Sequence, residues 1–241
     1  MKGTGVDSMS DNWPAALGLT GEEHSFVLIG EAGSGKSEIA INLALALLQR
    51  GDKAVHFCDL DMTKPLFRSR DQAKRLTDRG VTVHFEEQFY DAPVAVGGVH
   101  RLLRDEGCYT VLDVGGDYIG ARSIGGYAPL LNAPGTVVWY VVNPYRPWSM
   151  DIDHIDAVLA QVLGVSHVRL ERLRLLGNPN LGPDTAAADV ISGAEKLVEM
   201  VGPYKPVDFF CAREALTPAL ESRLPGPLFP IHLYLTYEWA E

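Results

Sequence analysis

Short apolar runs alternate with longer segments of helical spacing from residue 25 to the C-terminus. Ser25 to Ile29, Ala54 to Cys58, Val81 to Phe85, Tyr109 to Leu112, Val137 to Val142, Leu173 to Leu176, Val207 to Cys211 and Leu228 to Tyr234 read as strands. Lys36 to Arg50, about Arg68 to Asp78, Val94 to Asp105, Met150 to Leu163, about Thr185 to Val201 and Ala212 to Glu221 read as helices. Ile152, Ile155, Val158, Leu159 and Val162 share one face at helical spacing. Strands this uniformly apolar need burial on both faces, beneath helices. The predicted fold is therefore α/β: an open, mostly parallel central sheet with helices on both faces, a Rossmann-like three-layer sandwich. Residues 1–20, rich in Gly, Ser, Asp and Thr, read as a flexible leader in which Met9 could be the native start, and residues 21–241 as a single domain. Polar residues recur where strands end, at Gly30, Asp59, Asp113, Asn143 and Asn178. In an open parallel sheet that edge holds the ligand crevice.

Between the first strand and the first helix lies Gly30-Glu31-Ala32-Gly33-Ser34-Gly35-Lys36-Ser37, a complete G-x-x-x-x-G-K-[ST] phosphate loop. A loop so placed wraps a phosphate chain in backbone N–H groups and aims a helix N-terminus at its charge. Lys36 is expected to neutralise β- and γ-phosphates and the Ser37 hydroxyl to hold Mg²⁺. The pattern predicts a nucleoside triphosphate as ligand, in a domain of the P-loop NTPase kind. No [NT]-K-x-D guanine signature occurs, since Asn178-Pro179-Asn180-Leu181 lacks both lysine and aspartate, so ATP is the expected nucleotide.

Two acidic segments fit the same chemistry. Asp113 ends an apolar strand and begins D-x-x-G with Gly116, where a carboxylate can support Mg²⁺ and a glycine N–H can approach the γ-phosphate. Asp59-Leu60-Asp61 follows another apolar strand, and alternation aims both carboxylates to one side. Two acids beside a polyphosphate repel it unless Mg²⁺ intervenes or one of them handles a proton or water. Thr63 and Lys64 follow, where a loop could close over the γ-phosphate.

The net charge of −10 argues against a polyanion as the main partner, so nucleic acid is not expected. Arg68, Arg70, Lys74 and Arg75 form one local basic group, read as solvated helix surface. Cys58, Cys108 and Cys211 are far apart and read as buried free thiols. The seven histidines make no H-x-x-H pair, which points away from a protein metal site. Neither a membrane-length apolar stretch nor a signal-peptide pattern occurs, and a cytoplasmic location is expected.

The loop at 30–37, Asp59-x-Asp61, Asp113-x-x-Gly116 and Val141-Val142-Asn143-Pro144 followed by Ser149-x-Asp151 together resemble the MinD/ParA group over about residues 24–180. That group belongs to the SIMIBI class of phosphate-loop ATPases, with nitrogenase iron protein, the arsenite and tail-anchor ATPases and nickel-insertion ATPases. The resemblance implies that Asp61 orients the attacking water, that Asp59 supports the metal shell, that Asp113 is the Walker B acid and that Asn178 reads the adenine edge. It also implies a possible ATP-dependent homodimer. The family's loop usually begins Gly-Lys-Gly-Gly, with a lysine that crosses to the partner's nucleotide; here Glu31 holds that position. Charge would then come from elsewhere, for example Lys64 or Arg122, or hydrolysis would be slow.

Three readings follow. The first is a Mg-ATP-dependent ATPase switch acting on a protein partner in its assembly, insertion or positioning. The second is a small-molecule kinase with Arg68 and Arg70 as an acceptor clamp and Asp59 taking the acceptor proton. The third, suggested by Glu31, is a nucleotide sensor that does not hydrolyse.

Overall fold

The computed structural model describes residues 13–61, 69–85 and 95–235. Eight strands form one sheet in the order β3-β2-β4-β1-β5-β6-β7-β8. They are β1 (Ser25–Gly30), β2 (Ala54–Leu60), β3 (Thr82–His84), β4 (Cys108–Val114), β5 (Thr136–Val142), β6 (Leu173–Gly177), β7 (Val207–Arg213) and β8 (Leu228–Ile231). Every pairing is parallel, so all strand C-termini meet at one edge. The central strands β1, β4 and β5 are buried along their whole length, as their unbroken apolar character requires.

Helices cover both faces. The helices are α1 (Trp13–Ala16), α2 (Lys36–Arg50), α3 (Ala73–Arg79), α4 (Ala95–Arg104), α5 (Asp117–Arg122), α6 (Ala128–Leu131), α7 (Ile152–Ser166), α8 (Ala187–Val201) and α9 (Thr217–Leu220). One core layer packs α2 residues Ile39, Leu43 and Leu47 against Phe26, Phe57, Val111 and Trp139. The other packs Ile155, Val162, Leu197 and Val201 against Val27, Leu112, Tyr140 and Leu175. Successive strand residues alternate between these layers, as a pleated strand requires.

Four expectations are corrected. Residues 13–20 are not a loose leader: Trp13 and Leu17 are 7% and 1% exposed, and the Trp13 ring lies 5.9 Å from that of Phe229. The helix expected from Arg68 is a 3₁₀ turn, Ser69–Gln72, leading into α3, with Arg68 itself outside the described residues. No helix begins at Ala212, because Ala212 and Arg213 still pair with Pro230 and Ile231; only a 3₁₀ turn and the four-residue α9 follow. The last strand stops at Ile231, short of the expected Tyr234.

The segment after β8 instead lies against the start of α2. Asn42 Nδ2 donates to the His232 carbonyl at 2.8 Å, and His232 N donates to Asn42 Oδ1 at 2.8 Å. The backbone N–H groups of Tyr234 and Leu235 donate to the Glu38 carboxylate. Burial pushes the Glu38 carboxyl up from 4.5 to about 7, against the pull of those donors and of Arg75. A raised carboxyl favours the fold while protonated, so this contribution is full below 4.5 and lost as pH rises through about 7. It amounts to at most about 3 kcal/mol. Glu38→Gln is therefore expected to flatten the fall in melting temperature between pH 5 and 8, measured by thermal denaturation. Parallel wild-type and variant profiles would refute this.

Candidate nucleotide site

The phosphate loop leaves β1 at Gly30 and enters α2 at Lys36. Gly30, Gly33 and Gly35 have φ of 137°, 75° and 97°, a region that disfavours any side chain. A Cβ on Gly30 would meet the Val141 carbonyl oxygen at 2.6 Å, and one on Gly35 would meet Asn178 Nδ2 at 2.1 Å. Gly35 caps α2 without a side-chain hydrogen bond, so the first N–H groups of a 15-residue helix face the loop side. That cradle fits a phosphate.

Lys36 is only 1% exposed, and its Nζ donates to the Glu31 carbonyl at 2.8 Å. The Ser34 N–H donates to the same oxygen at 3.2 Å. Asn178 is 1% exposed and its Nδ2 donates to the Ser34 carbonyl at 2.7 Å. This contact ties Asn178 to the loop, while its Oδ1 makes no hydrogen bond among the described residues. Arg146 Nε donates to the Gly33 carbonyl at 3.1 Å.

The acids gather where the sheet register puts them. Asp59 and Asp113 are direct partners across β2 and β4, and Asp113 also lies beside Leu28 of β1. Register partners share a face. By alternation, both carboxylates continue the rows Val55-Phe57 and Tyr109-Val111, which pack beneath α2. They are thus on the face that carries Lys36 and Ser37. Asp61 follows β2, its N–H donating to Asp59 Oδ1 at 2.9 Å. All three are buried, as is Ser37.

This donor set fits Mg²⁺ brought in on a polyphosphate. Magnesium is commonly held by one or two carboxylates together with substrate phosphates, not by an all-protein cage. Among the described residues no group of three or more His, Cys, Asp or Glu could hold a metal alone. Asp59 and Asp113 are register partners, and Ser37 lies in the first turn of α2 on the same face of the sheet.

Gly116 passes close to the loop, and Gly115 lies against Asp61. A Cβ on Gly116 would meet Ala32 N at 2.7 Å and Ala32 Cα at 2.8 Å, and one on Gly115 would meet Asp61 Oδ1 at 3.1 Å. Asp117 then takes a φ of 78° and opens α5, its carboxylate accepting from Ile119 N and Gly120 N. Gly116 thus lies close against Ala32 of the loop and immediately precedes α5.

No protein-family model matches this chain, and no curated protein matches it. Solved structures do. The cell division protein FtsY of Thermotoga maritima has a TM-score of 0.49 at 16% identity, over 80% of this chain and 62% of that one. The signal recognition particle receptor FtsY of Elizabethkingia anophelis, in complex with GDP, has a TM-score of 0.48 at 14% identity, over 80% and 58%. FlhF complexed with GTP and Mg²⁺ has a TM-score of 0.44 at 14% identity, over 65% and 55%. The chain spans 55 to 62% of the length of these three structures.

Glu31 is 7% exposed, and burial raises its carboxyl against the opposing charge of Lys36, with Asp117 raising it further. Of the cations expected to replace a lysine there, Arg122 is exposed at the end of α5 without a hydrogen bond to the loop among the described residues, and Lys64 lies outside those residues, as does Thr63 of the expected closing loop. Sequence reasoning missed Arg146 and the buttressing of the loop by Asn178. It also missed a histidine pair: His56 Nδ1 and His84 Nε2 approach to 3.0 Å because parallel β2 and β3 bring together residues 28 apart in the chain. Among the described residues, no helix is long and apolar enough to cross a membrane.

Proposed function

We propose that this protein is a Mg-ATP-binding switch ATPase of the MinD/ParA-like kind, whose nucleotide state sets a surface offered to a protein partner. The observation that carries the reading is the contact of Gly116 with Ala32. A γ-phosphate seated at the loop would bear on that contact, and Gly116 leads directly through Asp117 into α5. Tyr118 and Ile119 of α5 are 47% and 52% exposed, so a shift of α5 changes an apolar surface.

Each residue has a separate task in this reading. Backbone N–H groups of the loop and of the first turn of α2 grip the phosphates, and Lys36 offsets their charge. Ser37, Asp59 and Asp113 share Mg²⁺, which supplies charge neutralisation at the phosphates when bound. Asp61 orients the attacking water, and its place beside Gly115 supports that task. ATP is chosen over GTP because Asn178-Pro179-Asn180-Leu181, at the end of β6, contains no guanine signature.

The deciding experiment measures molecular mass in solution with Mg²⁺ and either ADP or a non-hydrolysable ATP analogue. A monomer-to-dimer shift with the analogue alone is expected. Bound nucleotide without a mass change would refute the dimeric form of the switch. Calorimetric titration with ATP and GTP in parallel tests the base. The buried carboxylate of Glu31 favours a second reading, a sensor that binds tightly without turnover. Measured phosphate release separates the two.

A further inference from the structure

Two successive peptide groups of the phosphate loop are held from outside by side chains of two different strand ends. Arg146 takes the Gly33 carbonyl, and Asn178 takes the Ser34 carbonyl. Across a trans peptide the carbonyl and the next N–H point in opposite directions. Fixing those two oxygens therefore turns the Ser34 N–H away from Arg146, where it closes onto the Glu31 carbonyl at 3.2 Å, and the Gly35 N–H away from Asn178. Asn178 appears in the sequence reading in another role; Arg146 has none.

The placement of Arg146 is itself constrained. Asn143 Oδ1 accepts from Tyr145 N at 3.1 Å, and Arg146 N donates to the Asn143 carbonyl at 3.0 Å, forming a tight turn after β5. Ser149 N closes onto the Arg146 carbonyl at 3.0 Å. The guanidinium lies along Gly33, whose Cβ position is 3.5 Å from Nε and 3.9 Å from Cζ. Among the described residues Arg146 has no carboxylate partner, and its Nη groups make no hydrogen bond. The loop is otherwise surrounded by the acids Glu31, Asp59, Asp61, Asp113 and Asp117, with Lys36 the cation inside it.

We propose that Arg146 is a positioning residue for nucleotide binding: it braces the Gly33–Ser34 peptide and so holds the loop in its phosphate-accepting shape, and its charge offsets the acids around the loop. The proposal rests on the ATP-binding reading for its ligand. It also explains how a loop with Glu31 in place of a lysine remains able to take a polyanion. A charge-assisted hydrogen bond of this type is worth on the order of tenfold or more in affinity.

Two measurements on the full chain test it. Hydrogen exchange of residues 30–37 is compared without nucleotide in wild type, Arg146→Ala, Arg146→Lys and Arg146→Gln. The same proteins are titrated calorimetrically with ATP and Mg²⁺. Arg146→Ala is expected to speed loop exchange and to weaken ATP by on the order of tenfold. Arg146→Lys should recover part of the affinity and Arg146→Gln none. Unchanged exchange in Arg146→Ala overturns the brace, faster exchange with unaltered affinity overturns its link to nucleotide, and full recovery by Arg146→Gln overturns the role of charge. A wild-type protein that binds no ATP overturns the proposed function instead, and the exchange comparison still decides whether Arg146 braces the loop.

Discussion

Lys36→Ala is expected to abolish ATP binding, whereas Asp61→Ala is expected to retain binding and lose turnover. The two residues sit in one site but face different demands. Lys36 is the buried cation within the loop, its Nζ already fixed on the Glu31 carbonyl. Removing it leaves a triphosphate facing Glu31, Asp59 and Asp113 without that compensation. Loss of one charge-assisted contact in a buried site costs on the order of 3 kcal/mol, or over a hundredfold in affinity. Asp61 lies past the end of β2, beside Gly115, and carries a negative charge that phosphate does not need. Its removal relieves repulsion in the ground state and removes the proposed water-orienting group, a change worth roughly 10²- to 10⁴-fold in rate. Calorimetry and phosphate release on the two variants check this split, and equal loss of binding in both would sink it.

The parts that could be read from the chain are those that repeat or follow a fixed spacing. The central strands β1, β4 and β5 are apolar runs long enough to show their character, and α2 runs from Lys36 to Arg50 as its spacing and Gly51 predict. The acids Asp59 and Asp113 were legible because each closes an apolar run, and the register then makes them neighbours. What could not be read has no period. The six residues of α5 are too few for a helical pattern, and the helix opens on an aspartate at positive φ. Arg146 is one arginine in a turn, and only the adjacency of β1 and β5 brings it to the loop. The segment after Ile231 looked like continuing strand because His232 to Leu235 is apolar enough. Its backbone hydrogen bonds go instead to Asn42 and Glu38, which no local pattern announces.

Gly116→Ala is expected to separate nucleotide binding from its consequence. The φ of Gly116 is −64°, which any residue can adopt, so the strand end itself is not strained by the added methyl. The obstacle lies across the gap, where the new Cβ would stand 2.7 Å from Ala32 N and 2.8 Å from Ala32 Cα. Both are backbone atoms of the phosphate loop, and neither can rotate away as a side-chain tip would. Relief therefore requires the Gly115-Gly116 segment to withdraw from the loop. Gly115 resists that withdrawal, since Gly120 already packs on its backbone so closely that a Cβ there would meet the Gly115 carbonyl oxygen at 2.2 Å. The expected cost is about 1–3 kcal/mol of stability, in the range of overpacking. The larger effect is on coupling, because a displaced Gly116 no longer carries the state of the loop to Asp117 and α5. In wild type, hydrogen exchange over residues 117–122 should differ between the ADP and ATP-analogue complexes. In the variant the analogue should still bind through Lys36 and Ser37, while that difference disappears. A variant that binds the analogue and keeps the wild-type difference would show that the signal leaves the site by another route.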